Sequence, residues 1–438
     1  MSGEYRITDE LTLWWLGRPQ TPVRVGTLRL LRATRGVSLQ YDPEWLRNGF
    51  ALSEDLPLTD IEHRPVERDT AAGAVDDARP DRWGERVVRF VDKPPRLSLL
   101  EYLYFAGDDR FGALGVSASA QAYAAHRTGP LPTLRDVGEI HELVRKVLDN
   151  EPVPESKRRL IAPGATLGGA RPKALIELDD AQWVVKFAEP GEPTDVPLIE
   201  HASMTLAGKA DIRVAPTRPV RLIDGHALAV LRFDREGTGA SAHRLHAQSA
   251  HVALRAEAST VGYPELAQLL RRRAPVQQGI AKAQMRELFR RMVFNILMDN
   301  TDDHEKNHVL LMDDAQHLVL APAFDVLPAG QGLGYQQLRV GRDGADSTIE
   351  NARSEAALFG LSADEATVEA ARVARACSRW KSHFTQVGVR SGDIEYLSQF
   401  IDRDFLRQQR SELTESGGQG ATASPRKRTP TPPPRRLK

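Results

Sequence analysis

The sequence contains a single cysteine, Cys377, among 438 residues. One thiol excludes an intramolecular disulfide, a cysteine-based zinc finger and a CxxC redox pair, and it agrees with a reducing compartment. Long apolar runs are missing too: no window reaches the roughly 18 apolar residues of a membrane span, and the acidic N-terminal stretch lacks the basic start of a signal peptide. We therefore expect an intracellular, cytoplasmic protein with no membrane partner.

The chain also lacks net charge, because 59 Lys and Arg residues balance 59 Asp and Glu residues. A neutral chain does not coat nucleic acid or membrane by bulk charge. The balance hides an asymmetry, since residues 416–438 hold six of the basic residues and no acidic one, which leaves a net charge of −6 on the rest. This Pro-rich segment is predicted to be disordered, either simply solvated or contacting nucleic acid or a partner.

The remaining composition is that of a folded chain, with 41% apolar and 27% charged residues. Short apolar stretches broken by Gly and Pro predict a β-rich unit at the start, with helices after it, and a second β-rich unit precedes a mainly helical region. We therefore predict an α+β fold in four parts: an N-terminal subdomain at 1–118, a β-rich lobe at 119–235, a helical lobe at 236–412 and a disordered basic tail at 413–438.

Local patterns predict the individual elements within these parts. Helical periodicity follows Asp81 and continues to about Phe105, and a capping box at Ser362 and Glu365 opens a helix through Trp380. Further helices are expected at about 133–148, 200–209 and 285–299. Apolar runs predict strands at 174–178, 183–187, 220–223, 227–231 and 309–312.

The most informative segment is NTDDHEKN, residues 300–307, which lies between the strongest predicted helix and an apolar run. Asp302 and Asn307 have the spacing of the protein-kinase loop H-R-D-x-x-x-x-N, in which the aspartate accepts the substrate hydroxyl proton and the asparagine holds a metal ion. Asp325, in APAFDVLP, follows a short apolar strand and offers a second oxygen ligand for Mg²⁺. This spacing indicates phosphoryl transfer.

Two upstream segments could contact nucleotide phosphates. Lys186 ends the apolar strand WVVK, which resembles the V-A-I-K strand of kinases. The turn GATLGGARPK, residues 164–173, offers backbone N–H groups that can approach phosphate oxygens. Taken singly, the glycine turn would be interpreted as a flexible connector and Lys186 as a solvated strand end. The order of the segments along the chain favours a nucleotide site.

The same loop contains a competing motif, HEKNH at residues 304–308, which matches the H-E-x-x-H pattern of zinc hydrolases. Two histidines in that pattern reach one ion only on a helix. Because the preceding helix is predicted to end near residue 300 and a strand to begin at Val309, we expect His308 to point away from the site of His304. The zinc hydrolase is retained as an alternative.

At this point a family is recognisable. The segments GGARPKALIEL, WVVKFA, LAVLRFDRE, FNILMDNTDDHEKNHVLL and LAPAFDVLP, in this order, resemble the HipA family of serine/threonine protein kinases, the toxins of HipA/HipB toxin–antitoxin modules. VGTLRLL, FALSEDLPL, ARPDRWGERV and AGDDRFGALGVS are similar to the amino-terminal subdomain of that family. The resemblance spans about residues 5–410 and implies a two-lobed, protein-kinase-like fold with a small β-rich subdomain in front.

The resemblance also implies roles for residues. Asp302 would be the catalytic base, and Asn307 and Asp325 would be the Mg²⁺ ligands. Thr166 stands where the family autophosphorylates a serine in its phosphate loop. By this resemblance, residues 231–233 would form the hinge whose backbone meets adenine, and His304 and Lys306 would sit at the phosphates. The residues that would bind ATP are Gly168, Gly169, Ala170, Arg171, Lys173, Lys186, Glu200, Leu231, Phe233, His304, Lys306, Asn307 and Asp325.

The function implied by the resemblance is that of an ATP- and Mg²⁺-dependent serine/threonine kinase acting as a type II toxin. Its substrate would be a translation factor such as an aminoacyl-tRNA synthetase. A small helix-turn-helix antitoxin similar to HipB would neutralise it, with DNA contacted through that antitoxin or through the basic tail. A catalytically silent regulator that binds ATP or the antitoxin through the same fold is the other alternative.

Overall fold

The structure, a computed structural model, describes residues 5–126, 129–162, 164, 169–256 and 261–419. Its first part is a β-rich subdomain with three helices. The elements are β1 Glu10–Trp15, β2 Val23–Leu31, β3 Gly36–Tyr41, α1 Pro43–Asn48, β4 Glu62–His63, α2 Arg82–Val91, α3 Leu99–Phe105 and β5 Leu114–Ser117. The strands form one antiparallel sheet in the order β4-β3-β2-β1-β5, and α3 packs against it around a common apolar core.

The helical stretch predicted after Asp81 is in fact two helices. The chain leaves α2 at Val91, and Lys93 takes a left-handed conformation with φ of 49° before Pro94 and Pro95. Proline lacks the N–H that a continuing helix needs, so the helix cannot pass through this pair. A new helix, α3, begins after Ser98, whose side chain forms a capping box with Glu101.

The second part is a lobe built on a four-stranded antiparallel sheet. Its elements are α4 Val137–Leu148, α5 Arg158–Ile161, β6 Lys173–Leu178, β7 Ala181–Lys186, α6 Val196–Lys209, β8 Thr217–Arg221 and β9 His226–Leu231. The strand order is β6-β7-β9-β8. The apolar face of α2, with Trp83, Val87 and Val91, shares the core of this lobe. The N-terminal subdomain is therefore packed onto the lobe through α2.

The third part is mainly helical and contains a small antiparallel sheet. Its elements are β10 Arg235–Glu236, β11 His243–Arg244, β12 His246–Ser249, α7 Ala250–Ala256, α8 Tyr263–Arg273, α9 Ile280–Leu297, β13 Val309–Met312, β14 Leu318–Leu320, α10 Ile349–Ser354, α11 Ala363–Cys377, α12 Trp380–Val387, α13 Ser391–Ile401 and α14 Asp404–Gln419. The strand order is β12-β13-β14, so that β13, which directly follows the NTDDHEKN loop, is the central strand. The apolar side of α9 lies in the centre of the core.

Two predicted boundaries in this lobe were wrong. The helix opened by Ser362 ends at Cys377, and a separate helix starts at Trp380, because the chain turns there to bury the Trp380 indole and let it donate to Asp402 at 3.1 Å. The tail does not begin at residue 413, since α14 continues to Gln419 and Leu413 is buried in the lobe core. The remaining tail, 420–438, lies outside the described residues. None of the described helices is long and apolar enough to cross a bilayer.

Candidate active site

The NTDDHEKN loop is anchored by one buried aspartate and presents the other to a cleft. Asp303 accepts hydrogen bonds from the Tyr263 hydroxyl at 2.5 Å and from His308 Nε2 at 2.7 Å, and Asn295 donates to the Tyr263 oxygen at 3.2 Å. Burial alone would raise the pKa of Asp303, but His308 holds it below its usual value. This network fixes the loop backbone, so that the neighbouring carboxylate of Asp302 lies exposed in the cleft between the lobes.

Asp302 has the environment expected of a proton acceptor. Partial burial raises the pKa of its carboxyl group above the usual value, with a smaller contribution from the nearby charge of Asp325. A raised pKa makes the carboxylate a better acceptor for the proton of an attacking hydroxyl. Among the described residues no side chain donates a hydrogen bond to it, and Asp302 lines the cleft.

Asn307 and Asp325 line the same cleft and offer oxygen ligands. Asn307 ends a short 3-10 turn, while Asp325 follows β14 in a left-handed conformation with φ of 57°. Burial opposes ionisation of Asp325, but Lys186 lowers its pKa to about 2. An ionised carboxylate and an amide oxygen suit Mg²⁺, whose other positions are usually filled by phosphate oxygens and water. These residues fit that ion.

Lys186 stands between two carboxylates. Its Nζ atom lies 2.6 Å from Glu200 Oε1, on α6, and 2.6 Å from Asp325 Oδ1. Burial lowers the pKa of a lysine, but the two carboxylates offset this effect and raise the pKa of Lys186 above its usual value. The ammonium is therefore charged, and α6 and the Asp325 segment are held to the end of β7.

The described part of the glycine turn also reaches the cleft, with Gly169, Ala170 and Arg171 in its lining. Gly169 has φ of 84°, and Arg171 is paired with Glu192 at 2.6 Å. Lys173 begins β6 at the cleft wall, where burial and the nearby Lys186 lower its pKa to about 8. The predicted residues Thr166 and Gly168 lie outside the described residues.

The other end of the cleft is apolar. Leu231 and Phe233, the predicted hinge, line it together with Val184 and Val230, and the Phe233 ring lies 5.5 Å from the ring of Phe324. A flat, apolar wall beside an extended backbone segment suits a nucleobase. The cleft thus has one charged end and one apolar end.

The HEKNH motif does not form a zinc site. Residues Glu305–Asn307 form a 3-10 turn and not the α-helix that the pattern requires. His308 Nε2 is bound to Asp303, and Glu305 pairs with His251 at 3.0 Å. His304 instead lines the cleft with Lys306. The zinc interpretation was therefore wrong, because the two histidines do not lie one turn apart on an α-helix and His308 is bound to Asp303.

Sequence reasoning missed a set of cleft residues from the N-terminal subdomain. Asp77, Asp81 and Phe111 also line the cleft. Asp77 accepts hydrogen bonds from the backbone N–H and the hydroxyl of Ser249, both at 2.7 Å, and burial raises its pKa to about 6. The only local pattern at Asp81 is the pair Pro80-Asp81 before α2, and this pattern indicates an ordinary helix start and not a cleft residue.

A network of buried charges joins this subdomain to the hinge. The Arg232 guanidinium donates to both oxygens of Asp234, at 2.9 and 2.8 Å, and the Gly112 N–H donates to Asp234 Oδ2 at 2.8 Å. Arg232 and Arg235 also donate to the backbone oxygen of Arg110. These contacts hold residues 109–112, including Phe111, against the apolar end of the cleft.

Comparison with known proteins gives two family matches. A family model described as "HipA N-terminal domain" matches residues 21–117, and one described as "HipA-like C-terminal domain" matches residues 165–381. A curated relative, "Putative kinase Y4dM" of Sinorhizobium fredii, is 31% identical over 159 residues, which is 33% of this chain and 37% of that protein. The match therefore spans little more than a third of the relative.

One solved structure resembles nearly the whole chain. HipA of Shewanella oneidensis MR-1, solved in a complex with HipB and its operator DNA, superposes with a TM-score of 0.65 at 17% identity, over 93% of this chain and 99% of that one. This likeness confirms the predicted two-lobed α+β fold with its N-terminal subdomain. The Helicobacter pylori proinflammatory kinase CtkA matches 59% of this chain and 95% of its own, at 15% identity and a TM-score of 0.41, too low to add to that conclusion.

Proposed function

This chain belongs to the HipA family, and from that premise we propose that it is an ATP- and Mg²⁺-dependent serine/threonine protein kinase that acts as a type II toxin. One observation carries the proposal. A single cleft collects a carboxylate facing solvent, a pair of oxygen ligands, a lysine clamped by a buried glutamate and an apolar wall. Phosphoryl transfer needs these groups in one place, because its catalysis consists mainly of positioning and charge stabilisation.

The chemistry assigns one task to each group. When bound, ATP supplies the γ-phosphoryl group, and Mg²⁺ neutralises the charge on its phosphates. Asn307 and Asp325 would hold the ion, and Lys186, paired with Glu200, would contact phosphate oxygens. Asp302 would accept the proton of the attacking serine or threonine hydroxyl. The hydroxyl oxygen would form a bond to the γ-phosphorus, and the bond from that phosphorus to the β,γ-bridging oxygen would break, so that ADP leaves with the bonding electron pair.

The toxin role comes from the family. By analogy with the HipA structure that contains HipB and operator DNA, the partner is a helix-turn-helix antitoxin, and DNA is reached through it or through the basic tail. The expected substrate is a translation factor such as an aminoacyl-tRNA synthetase in the cytoplasm. Thr166 is the expected autophosphorylation position.

Expression of the chain without an antitoxin tests the proposal. We expect growth arrest, relieved by Asp302→Asn, and new phosphoserine or phosphothreonine sites in translation proteins when the wild type is induced. Mass spectrometry of phosphosites would identify the substrate and show whether Thr166 is modified. Growth arrest of equal strength with Asp302→Asn would instead favour a silent regulator that acts by binding alone.

A further inference from the structure

Asp81 connects three parts of the molecule at the charged end of the cleft. It precedes α2 in the N-terminal subdomain, but its carboxylate makes no hydrogen bond to the first turn of that helix. Instead, one oxygen accepts a hydrogen bond from the backbone N–H of Gly169, in the glycine turn, at 2.7 Å. The other oxygen accepts a hydrogen bond from Lys306 Nζ, in the NTDDHEKN loop, at 2.7 Å. The side chain of this helix-start aspartate therefore binds groups of the cleft and does not cap its own helix.

The two donors held by Asp81 are of the kind that binds phosphate. Backbone N–H groups of glycine-rich turns and lysine ammonium groups are the usual protein donors to nucleotide phosphates. A carboxylate presents two anionic oxygens, as one edge of a phosphate does. Burial alone would raise the pKa of Asp81, but Lys306 and the Gly169 N–H lower it, so this oxygen pair remains anionic.

The neighbouring acids are occupied elsewhere. Asp76 is bound by Arg79 at 2.9 Å, and Asp77 is bound by the hydroxyl and N–H of Ser249. Their partners are not groups of the predicted phosphate site. Asp81 differs because both of its described partners belong to that site.

We propose that Asp81 is an internal competitor of the nucleotide phosphates, occupying Gly169 and Lys306 until a polyphosphate displaces it. The inference rests on the proposed function and adds a regulation of the same site. As a consequence, a polyphosphate that fills the phosphate site breaks the hydrogen bonds of Asp81 to Gly169 and Lys306. The contacts of the N-terminal subdomain with both lobes therefore depend on whether the cleft is occupied.

The test compares the wild type with Asp81→Asn by calorimetric titration with inorganic tripolyphosphate, ATP and adenosine. The asparagine keeps an oxygen for the Gly169 N–H but removes the negative charge beside Lys306. We expect the dissociation constants of tripolyphosphate and ATP to fall about five-fold, because one repulsive charge a few Å from the phosphates is gone. Adenosine, which carries no phosphate, should bind unchanged.

Two further variants make the outcome unambiguous. Glu85→Gln removes a carboxylate from the same helix, where Glu85 pairs with Arg89 outside the cleft, and it should not change the binding of any of the three ligands. Asp81→Ser also keeps a residue favoured at a helix start but removes the carboxylate altogether, and it should tighten tripolyphosphate binding even if the asparagine variant folds poorly.

The failure of this inference is separable from that of the proposed function. If the wild type binds ATP and the folded Asp81 variants bind polyphosphate equally well or less well, Asp81 is not a competitor and the kinase proposal is unaffected. If the wild type binds neither ATP nor tripolyphosphate, the proposed function itself is wrong.

Discussion

At the scale of residues, the site depends on Lys186, which forms ion pairs with the carboxylates of Glu200 and Asp325. Lys186 is 8% exposed and Glu200 is 1% exposed, so this pair is shielded from water. Removing one partner of a buried ion pair leaves an uncompensated charge, which costs more than the pair contributes. The same lysine is the proposed contact for nucleotide phosphates. Stability and nucleotide binding therefore depend on a single side chain.

We expect Lys186→Met to lower the free energy of unfolding by about 3 kcal/mol, because Glu200 loses its buried partner. The variant should also lose measurable ATP binding. Urea unfolding followed by tryptophan fluorescence, with calorimetric titration of ATP, measures both effects. Lys282→Met is the matched control, because Lys282 is exposed and its ion pair with Glu365 is long, at 3.7 Å. A stable Lys186→Met variant with normal ATP binding would contradict this assignment.

The sequence predicted residues whose roles follow from spacing but not residues that meet only in three dimensions. Asp302, Asn307 and Asp325 belong to short motifs, and the structure places all three in one cleft. Asp81 contacts groups that are 88 and 225 positions away. No local pattern indicates contacts between residues so far apart along the chain, so the contacts of Asp81 could not be predicted from one sequence.

At the scale of elements, the segment 109–112 and the hinge form a rigid joint. Asp234 is 2% exposed and binds Arg232, Arg235 and the Gly112 N–H. Burial would raise its pKa, but Arg232 and Arg235 hold the pKa of Asp234 well below its usual range. The ionised carboxylate thus stabilises the fold, and it fastens the N-terminal subdomain to the lobe that carries the hinge.

Replacing Asp234 by asparagine should lower the free energy of unfolding at pH 7 by about 3 kcal/mol, since two buried guanidinium groups lose their carboxylate. A depressed folded-state pKa gives stability that is present above the unfolded pKa, about 4, and is lost as the pH falls towards the folded pKa. The difference between wild type and variant should therefore shrink below about pH 4.

Urea unfolding between pH 3 and pH 7 measures this dependence. Asp314→Asn, which changes an exposed aspartate, should leave the stability unchanged throughout. A wild-type advantage over Asp234→Asn that stays constant down to pH 3 would show that the carboxylate acts through packing and not through its charge.

The predicted elements were correct where one signal dominated and wrong where tertiary contacts decided. The hairpin of β6 and β7 and the long helix α9 follow from apolar patterning, and α9 differs from its prediction only by a few residues at each end. The break before Trp380 could not be seen, because it depends on the partner Asp402, which α13 and α14 bring near. Leu413 likewise extends α14 by packing into the core.

At the scale of the whole molecule, the N-terminal subdomain is part of the cleft and not an appended module. Its Asp77, Asp81 and Phe111 lie in the cleft wall, and its helix α2 shares the core of the adjacent lobe. The zero net charge sums a basic tail and a body with a net charge of −6. Local groups such as Lys186 and Lys306, and not bulk charge, must therefore attract a polyanionic nucleotide.

The central claim is that this cleft transfers the γ-phosphoryl group of ATP with Asp302 as the base. The most direct measurement incubates the purified protein and a cleared cell lysate with γ-labelled ATP and Mg²⁺, beside Asp302→Asn. The variant should fold at least as stably as the wild type, because burial disfavours the charged form of Asp302. We predict Mg²⁺-dependent label on serine or threonine with the wild type and a loss of at least 100-fold in the variant, on the order of a base's contribution. Equal labelling by both proteins, or none by the wild type, would contradict the account.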